Sequence, residues 1–186
     1  MGSVTTPHPV KLISSVFSND RALIQETKKR LEGMFGVIDY ESKEFIFDDT
    51  VYYEREMGEG LVRYFYSFGP LMPPDVLPDV KMKTNALEME FSVSGKRRVN
   101  IDPGFISLGK LVLATTKDHQ HRIYLSRGIF AEVTLRFQNN TFTPWEWTYP
   151  DYRCPEYITA FNTIRDEYKK SFEHKRTPLA HPHNIA

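Results

Sequence analysis

The chain has little of three things: cysteine, net charge and long apolar runs. Cys154 is its only cysteine, which excludes a disulfide within the chain and a zinc site built from several thiolates. The 24 basic and 24 acidic side chains cancel, whereas proteins that bind nucleic acid by neutralising phosphates carry an excess of basic residues. No stretch approaches the roughly 20 apolar residues of a membrane span. We therefore expect a cytoplasmic protein with no membrane partner, and the charge balance argues against nucleic acid as a partner without excluding a local basic patch.

The motifs of several common enzyme classes are also missing. The patterns G-x-x-x-x-G-K-[ST], G-x-G-x-x-G, H-E-x-x-H and G-x-S-x-G do not occur. Phosphate-binding loops, dinucleotide sites, zinc proteases and serine hydrolases of the usual kind therefore have no support, and we assign neither a metal nor a cofactor. The first nine residues lack a basic stretch followed by an apolar run, so we expect no signal peptide.

Aromatic residues, in contrast, are abundant, at 13% of the chain. They concentrate buried area, which favours a dense core and rings that line a pocket. A length of 186 residues fits a single domain. We expect a flexible arm over 1–10, one α+β domain over 11–176 and a disordered Pro/His tail over 177–186.

In the first half, hydrophobic periodicity predicts strand, helix, strand, strand, helix, strand. The predicted strands are Lys11–Phe17, Val37–Phe47, Leu61–Phe68 (ended by Gly69-Pro70) and Arg97–Ile101. One helix begins after Ser18-Asn19-Asp20, a segment with the residues of a helix cap, and stops at Gly36. Pro73-Pro74 starts a second helix through Asp75–Phe91. This βαββαβ order predicts a ferredoxin-like half.

The second half begins with Asp102-Pro103-Gly104, which has the composition of a turn. The apolar segment Phe105–Thr116 fits a buried strand or a buried helix, and we favour the helix because Pro-Gly can open one. Three strands of a meander are predicted next, at His121–Leu125, Ile129–Phe137 and Thr141–Trp147. Pro155 then starts a C-terminal helix.

Polar residues that suit a functional site are concentrated between Asn100 and Arg153. Asp102 lies at the end of a predicted strand, where the strand fixes the backbone and the loop exposes the side chain to a ligand. Its commoner role at such a position is to accept hydrogen bonds from the backbone amides of its own turn. The run Thr115–Arg122 supplies cations for a phosphate or carboxylate, and histidines that move protons at neutral pH. Glu132 lies in an apolar strand, so burial of that face requires a partner or a raised pKa.

These residues predict a small-ligand-binding protein or enzyme for an anionic or phosphorylated compound. The predicted catalytic residues are Asp102, His119, His121 and Glu132. The predicted ligand-binding residues are Lys117, Arg122, Tyr124 and Arg153. The aromatic residues near Pro150 either line this pocket or join the meander to the last helix, and we favour the second role: Trp145, Trp147, Tyr149 and Tyr152.

Two other functions fit the sequence. Tyr64 and Tyr66, with the basic segment Lys96–Arg98, loosely match the strand on which RNA-binding ferredoxin-like domains stack bases. That role needs the two rings on an open sheet surface. A non-catalytic protein-protein adaptor needs an exposed apolar patch instead of a cleft.

Several segments together resemble one protein family. They are FGVIDYES (Phe35–Ser42), YYEREMG (Tyr52–Gly58), NIDPG (Asn100–Gly104), KLVLATTKD (Lys110–Asp118), HRIYLSRGIFAEVTLRF (His121–Phe137) and TYPDYR (Thr148–Arg153). The chain resembles, over nearly its whole length, the uncharacterised bacterial and archaeal family called domain of unknown function 4416. The resemblance implies a compact prokaryotic protein with one domain. It brings no activity, substrate or catalytic residue.

Overall fold

The computed structural model describes residues 2–47, 53 and 56–176, so the tail predicted over 177–186 lies outside the described residues. Within them the chain forms strands β1 Val10–Ser18, β2 Ile38–Glu41, β3 Phe45–Ile46, β4 Val62–Met72, β5 Asn100–Ile106, β6 Lys110–Thr115, β7 Arg122–Ser126, β8 Ile129–Gln138 and β9 Thr141–Pro144. The helices are α1 Arg21–Phe35, α2 Leu77–Glu90 and α3 Pro155–Arg176. In this part of the chain no helix has the length and apolar character of a membrane span.

Local signals set the ends of α1 as predicted. The Asp20 carboxylate accepts hydrogen bonds from the N–H groups of Ala22 and Leu23 at 2.9 and 3.1 Å. Gly36 follows the helix at a φ of 97°, which favours glycine. A Cβ atom there would also lie 2.6 Å from the Pro70 ring, so Gly36 serves both the turn and the packing.

All strands belong to one sheet, in the order β2-β4-β1-β5-β6-β8-β7, with β3 beside β4 and β9 beside β8. Every neighbouring pair is antiparallel. The mixed helix and strand class is confirmed. The three strands predicted as a meander are present, but their arrangement is different: β6 pairs along one edge of β8, and β7 and β9 pair with different halves of its other edge. The sheet is also larger than expected, because β6 pairs with both β5 and β8 and so joins the last strands to the first ones.

Three local predictions are wrong. Asp102-Pro103-Gly104 is not a turn but the middle of β5, where pairing with β1 keeps the backbone extended. The segment Phe105–Thr116 is not a helix: it completes β5 and forms β6, which is buried on both faces and therefore lacks the alternation of a half-exposed strand. Gly69-Pro70 does not end β4, which continues to Met72 and pairs there with the start of β1.

The helices cover opposite faces of the sheet. On the face that we call the α1/α2 face, those helices pack on alternate strand residues such as Leu12, Val16 and Ile101. On the other, the α3 face, Phe65 meets the rings of Tyr157 and Phe161 with centroids 4.6 and 4.8 Å apart. Apolar layers on both faces therefore fix the strand positions.

Candidate functional site

The sheet opens between β5 and β6. Along its β1 side, β5 is paired from Asn100 to Ile106, but along its β6 side pairing is confined to Gly104–Ile106. Pro103 has no N–H to donate, which suits the position where the second ladder stops. A cavity of about 660 Å³ lies in the gap, walled by the unpaired parts of both strands, including Asn100 and Thr115.

Side chains reach this cavity from both faces of the sheet. Helix α2, which covers the α1/α2 face, contributes Lys81, Asn85 and Glu88, while Arg63 and Asp151 reach it on the α3 face. The carboxylates on its wall are Glu88, Asp102, Glu132 and Asp151, and the cations are Arg63, Lys81, Arg97, Lys117 and Arg122. The gap thus brings four carboxylates and five cations from distant segments to one space.

Glu132 lies in one wall of the cavity and belongs to a buried network. It is opposite Arg122 in the β7–β8 ladder, and both side chains are only 3% exposed. The Arg122 Nε donates to Glu132 Oε2 at 2.8 Å, and His121 Nε2 lies 3.1 Å from the same oxygen. The other end of Arg122 donates to the Lys117 carbonyl at 3.0 Å and to the Tyr149 hydroxyl at 3.2 Å. Glu132 is therefore paired, and it holds Arg122 against the cavity.

Arg63 supplies a second buried cation. Its side chain is 3% exposed and donates from Nη1 to Asp151. Its guanidinium lies 3.8 Å from the centre of the Phe47 ring. Among the described residues, Arg63 Nε has no hydrogen-bond partner. The Nε atom is itself buried, and four aromatic rings surround the guanidinium, so Arg63 is held in a fixed position beside the cavity.

Lys81 and Asp102 meet at the β5 wall. The Lys81 Nζ donates to the Ile101 carbonyl at 3.0 Å and lies 3.5 Å from Asp102 Oδ1. The Asn100 side-chain amide donates to the other Asp102 oxygen at 2.7 Å. Asp102 keeps 31% of its side chain exposed, so its carboxylate remains accessible from the cavity.

Glu88 is the most perturbed acid of the site. It is 6% exposed, and its Oε1 accepts a hydrogen bond from the Ile101 N–H at 2.5 Å. Burial raises the pKa of its carboxyl to about 7, although the neighbouring Lys81 acts in the opposite direction. Both protonation states are therefore populated at neutral pH, as a group that exchanges protons requires.

The sequence reading missed Lys81 and Glu88, although a signal was present. Together with Thr84 they repeat at helical spacing, and Leu77 and Leu87 lie on the same buried surface of α2. Charged residues within an apolar helical stripe must be paired or functional when they are buried. Reading that stripe as a whole would have indicated both residues.

Four of the eight predicted site residues line the cavity. They are Asp102, Lys117, Arg122 and Glu132. His121 lies behind this wall, joined to it through Glu132, and His119 stacks on His121 with ring centres 6.0 Å apart.

Tyr124 and Arg153 lie apart from the cavity. Tyr124 is 58% exposed and meets only the Phe130 ring among the aromatic contacts of the described chain. Arg153 donates to the carbonyls of Thr148 and Glu146 at 2.7 and 2.8 Å, which holds the loop before α3. The described residues contain no group of three or more His, Cys, Asp or Glu side chains placed to hold a metal ion.

A stack of planar groups continues outward from His121. Trp147 lies on the His121 ring at 5.6 Å, Trp145 lies on Trp147 at 4.9 Å, and the Arg136 guanidinium is 4.2 Å from the Trp145 ring centre. The tryptophans therefore pack beside β8, where the Trp147 Nε1 donates to the Val133 carbonyl at 3.1 Å. Tyr152 combines both roles foreseen for this segment, since it lines the cavity and packs against Phe161 of α3.

The surfaces needed by the other two functions differ in exposure. Tyr66 is fully buried, and Tyr64 is half-buried with its hydroxyl donating to Glu44 at 2.9 Å. These rings do not form the open stacking surface that the RNA-binding hypothesis needs. On the edge strand β7, in contrast, Ile123 and Tyr124 are 68% and 58% exposed.

Comparison with known proteins identifies the family. A search of curated proteins and a search of solved structures each found no match. The family model described as Domain of unknown function (DUF4416) matches residues 8–168, which include every strand and the whole wall of the cavity. The chain belongs to this family, domain of unknown function 4416.

Proposed function

We propose that the cavity between β5 and β6 binds a small anionic or phosphorylated compound. The observation that carries this proposal is the convergence of cations from four separate segments on one cavity: Arg63, Lys81 and Arg122, which are buried, and Arg97, which is partly buried. Each is held by a carboxylate, so its position is fixed before a ligand arrives.

The size and lining of the cavity restrict the ligand. A volume of about 660 Å³ lies within the usual range of small-molecule sites, roughly 300–1,000 Å³. Phe47, Tyr53 and Tyr149 add aromatic surface to the charged wall. The compound we expect therefore combines an anionic group with a planar or apolar part.

The predicted catalytic residues take different roles in this proposal. Asp102 contacts the ligand directly, because it is the most exposed of the four carboxylates on the wall. Glu132 and His121 are positioning residues that act through Arg122. Lys117 and Arg122 bind the anionic group. His119, Tyr124 and Arg153 have no ligand contact in this arrangement.

We also infer that the first half is a ferredoxin-like unit within one domain over 11–176. The supporting observations are the βαββαβ order of β1, α1, β2, β4, α2 and β5, and the antiparallel strand order β2-β4-β1-β5. The strands from β6 onward extend this unit, and the cavity lies where the extension begins. Folding of a fragment ending at Ile106 would test the division: cooperative unfolding supports a separable half, and an unfolded fragment argues for one inseparable sheet.

A thermal-shift screen tests the binding proposal. The purified protein is screened against sugar phosphates, nucleotides and dicarboxylates, and a compound at roughly 100 times its Kd adds about 2.7 kcal/mol of stability. Lys117→Ala should weaken binding about tenfold or more, because Lys117 lines the cavity. Lys110→Ala, an exposed residue that lies outside the cavity on β6, is the matched control and should bind normally. The proposal is contradicted if no compound stabilises the protein, or if a compound that does so binds equally well to Lys117→Ala.

Partner binding at β7 is a second candidate, favoured by the exposed apolar residues of this edge strand. An edge strand offers unpaired backbone groups to another strand, and apolar side chains add contact area. Light scattering over a range of protein concentrations tests the simplest form, a second copy of the chain. A dimer supports the role, and a monomer at every concentration contradicts that form of it.

A further inference from the structure

We infer that binding in this cavity is linked to a proton: when an anion enters, Glu88 takes up one proton and its neutral carboxyl donates a hydrogen bond from Oε2 to an anionic oxygen of the ligand. This inference rests on the proposed function and adds to it the chemical class of the ligand. The ligand presents a phosphate or carboxylate oxygen to α2 and β5, and no covalent bond is formed or broken.

The two oxygens of Glu88 have different surroundings. Oε1 is held by the Ile101 N–H at 2.5 Å, an interaction in which the oxygen accepts. Oε2 is 3.8 Å from Arg97 Nη1, beyond hydrogen-bonding distance. The proton therefore belongs on Oε2, the oxygen with hydrogen-bonding capacity left for a ligand.

The charges that face Glu88 explain why the proton matters. Lys81 faces it from the same helix, Asp102 from β5, and Arg97 from the segment before β5, where Glu56 pairs with Arg97 at 2.7 Å. With Glu88 ionised, this group holds three carboxylates and two cations, so it repels an anion. Protonation of Glu88 balances the group and also supplies a hydrogen-bond donor.

Binding and protonation must then favour each other. Because burial already raises the pKa of Glu88 to about 7, a small further rise on binding changes the number of bound protons at neutral pH. The neutral form binds more tightly, so affinity falls as the pH rises through this pKa. A pKa rise of about 0.5 to 1 on binding corresponds to a total increase in Kd of about three- to tenfold.

The test is an NMR titration of the whole chain with two probes, sulfate and acetate. Both stay ionised from about pH 6 to about pH 8.5, so any pH dependence arises from the protein. The Glu88 side-chain carboxyl carbon, assigned with Glu88→Gln, reports its pKa without and with each probe. We expect a rise of about 0.5 to 1 pH unit with the bound probe. A response to sulfate alone indicates a phosphate-like ligand, and a response to acetate alone indicates a carboxylate.

A matched pair of variants separates linkage from general charge effects. Glu88→Gln should remove the pH dependence of the probe Kd, whereas Glu90→Gln should keep it, because Glu90 is 54% exposed on the same helix and pairs with Arg30. If the probes perturb the amide signals of Asn85 and Asn100 but the Glu88 pKa does not move, the proton linkage is wrong and the binding proposal stands. If neither probe perturbs those signals at any pH, both are overturned.

Discussion

The two sides of β5 differ along their length. Towards β1 the ladder is continuous from Asn100 to Ile106, but towards β6 it stops after three residues. Beside the closed ladder, Ile13 and Phe65 pack in an apolar cluster under α3. Beside the open one, buried cations and carboxylates pair around a cavity. The separation of β5 from β6 thus creates space for a polar cavity, while the β1–β5 side keeps its apolar core.

The open side depends on buried ion pairs, and breaking one should have the largest effect. Arg122→Met leaves the Glu132 carboxylate buried without its arginine, which should lower the free energy of unfolding by about 3–5 kcal/mol. Arg127→Met, which breaks the exposed pair with Asp79, is the control and should cost at most about 1 kcal/mol. Urea unfolding measures both. Equal losses would mean that the buried network does not support this side of the sheet.

Glu88 should make the open side sensitive to pH. Its pKa is about 7 in the folded chain and 4.5 as a free group, so the folded state binds its proton more tightly. The resulting stability is present in full below about pH 4.5 and is lost as pH rises through about 7, by about 3 kcal/mol in total. Relative to the wild type, Glu88→Gln should therefore gain stability between about pH 5 and about pH 8.

Glu90→Gln is the control for this pH experiment. Its pairing with Arg30 lowers the pKa of Glu90, the opposite direction from Glu88. Unfolding in urea at several pH values should therefore show no relative gain for Glu90→Gln as the pH rises. A flat difference between Glu88→Gln and the wild type would show that the Glu88 carboxyl titrates alike in the folded and unfolded chain.

The smallest effect is expected where the closed part meets the open part. A Cβ atom at Gly104 would lie 2.2 Å from the Val112 carbonyl oxygen, so Gly104→Ala must push β6 away from β5. We expect a loss of about 1–3 kcal/mol, measured by thermal or urea unfolding. Gly109→Ala, at a position with no atom within 4 Å of the added Cβ, should be nearly neutral. If both variants behave alike, close approach of the strands does not fix the gap.

Sequence reasoning succeeded where the cause is local. The ends of α1 follow from Asp20 and Gly36, which act within one turn of the helix. It failed at Asp102-Pro103-Gly104, whose residues favour a turn by themselves but are extended by long-range pairing with β1. The closeness of β6 at Gly104 likewise depends on a partner that local composition does not reveal.

The residues of the candidate site likewise divide into those that the sequence predicted and those that it did not. The sequence brought Asp102, Lys117, Arg122 and Glu132 together because they lie near the ends or inside of neighbouring predicted strands. It did not include Lys81 and Glu88, because charged residues on a helix usually face solvent. The apolar stripe of α2 indicates that both residues are buried, but their contacts with the Ile101 backbone and the gap beside β5 depend on the sheet and do not follow from that stripe.

The stack beside His121 gives the protein an optical signal of its own. Trp145 and Trp147 are the only tryptophans of the chain, and their rings are 4.9 Å apart and within 9° of parallel. Indoles this close couple their electronic transitions, so we expect a paired positive and negative band in the circular dichroism spectrum. Trp147 touches His121, whose carboxylate partner also holds Arg122 at the cavity. Unlabelled protein can therefore be followed by tryptophan emission while Arg122 and its network change.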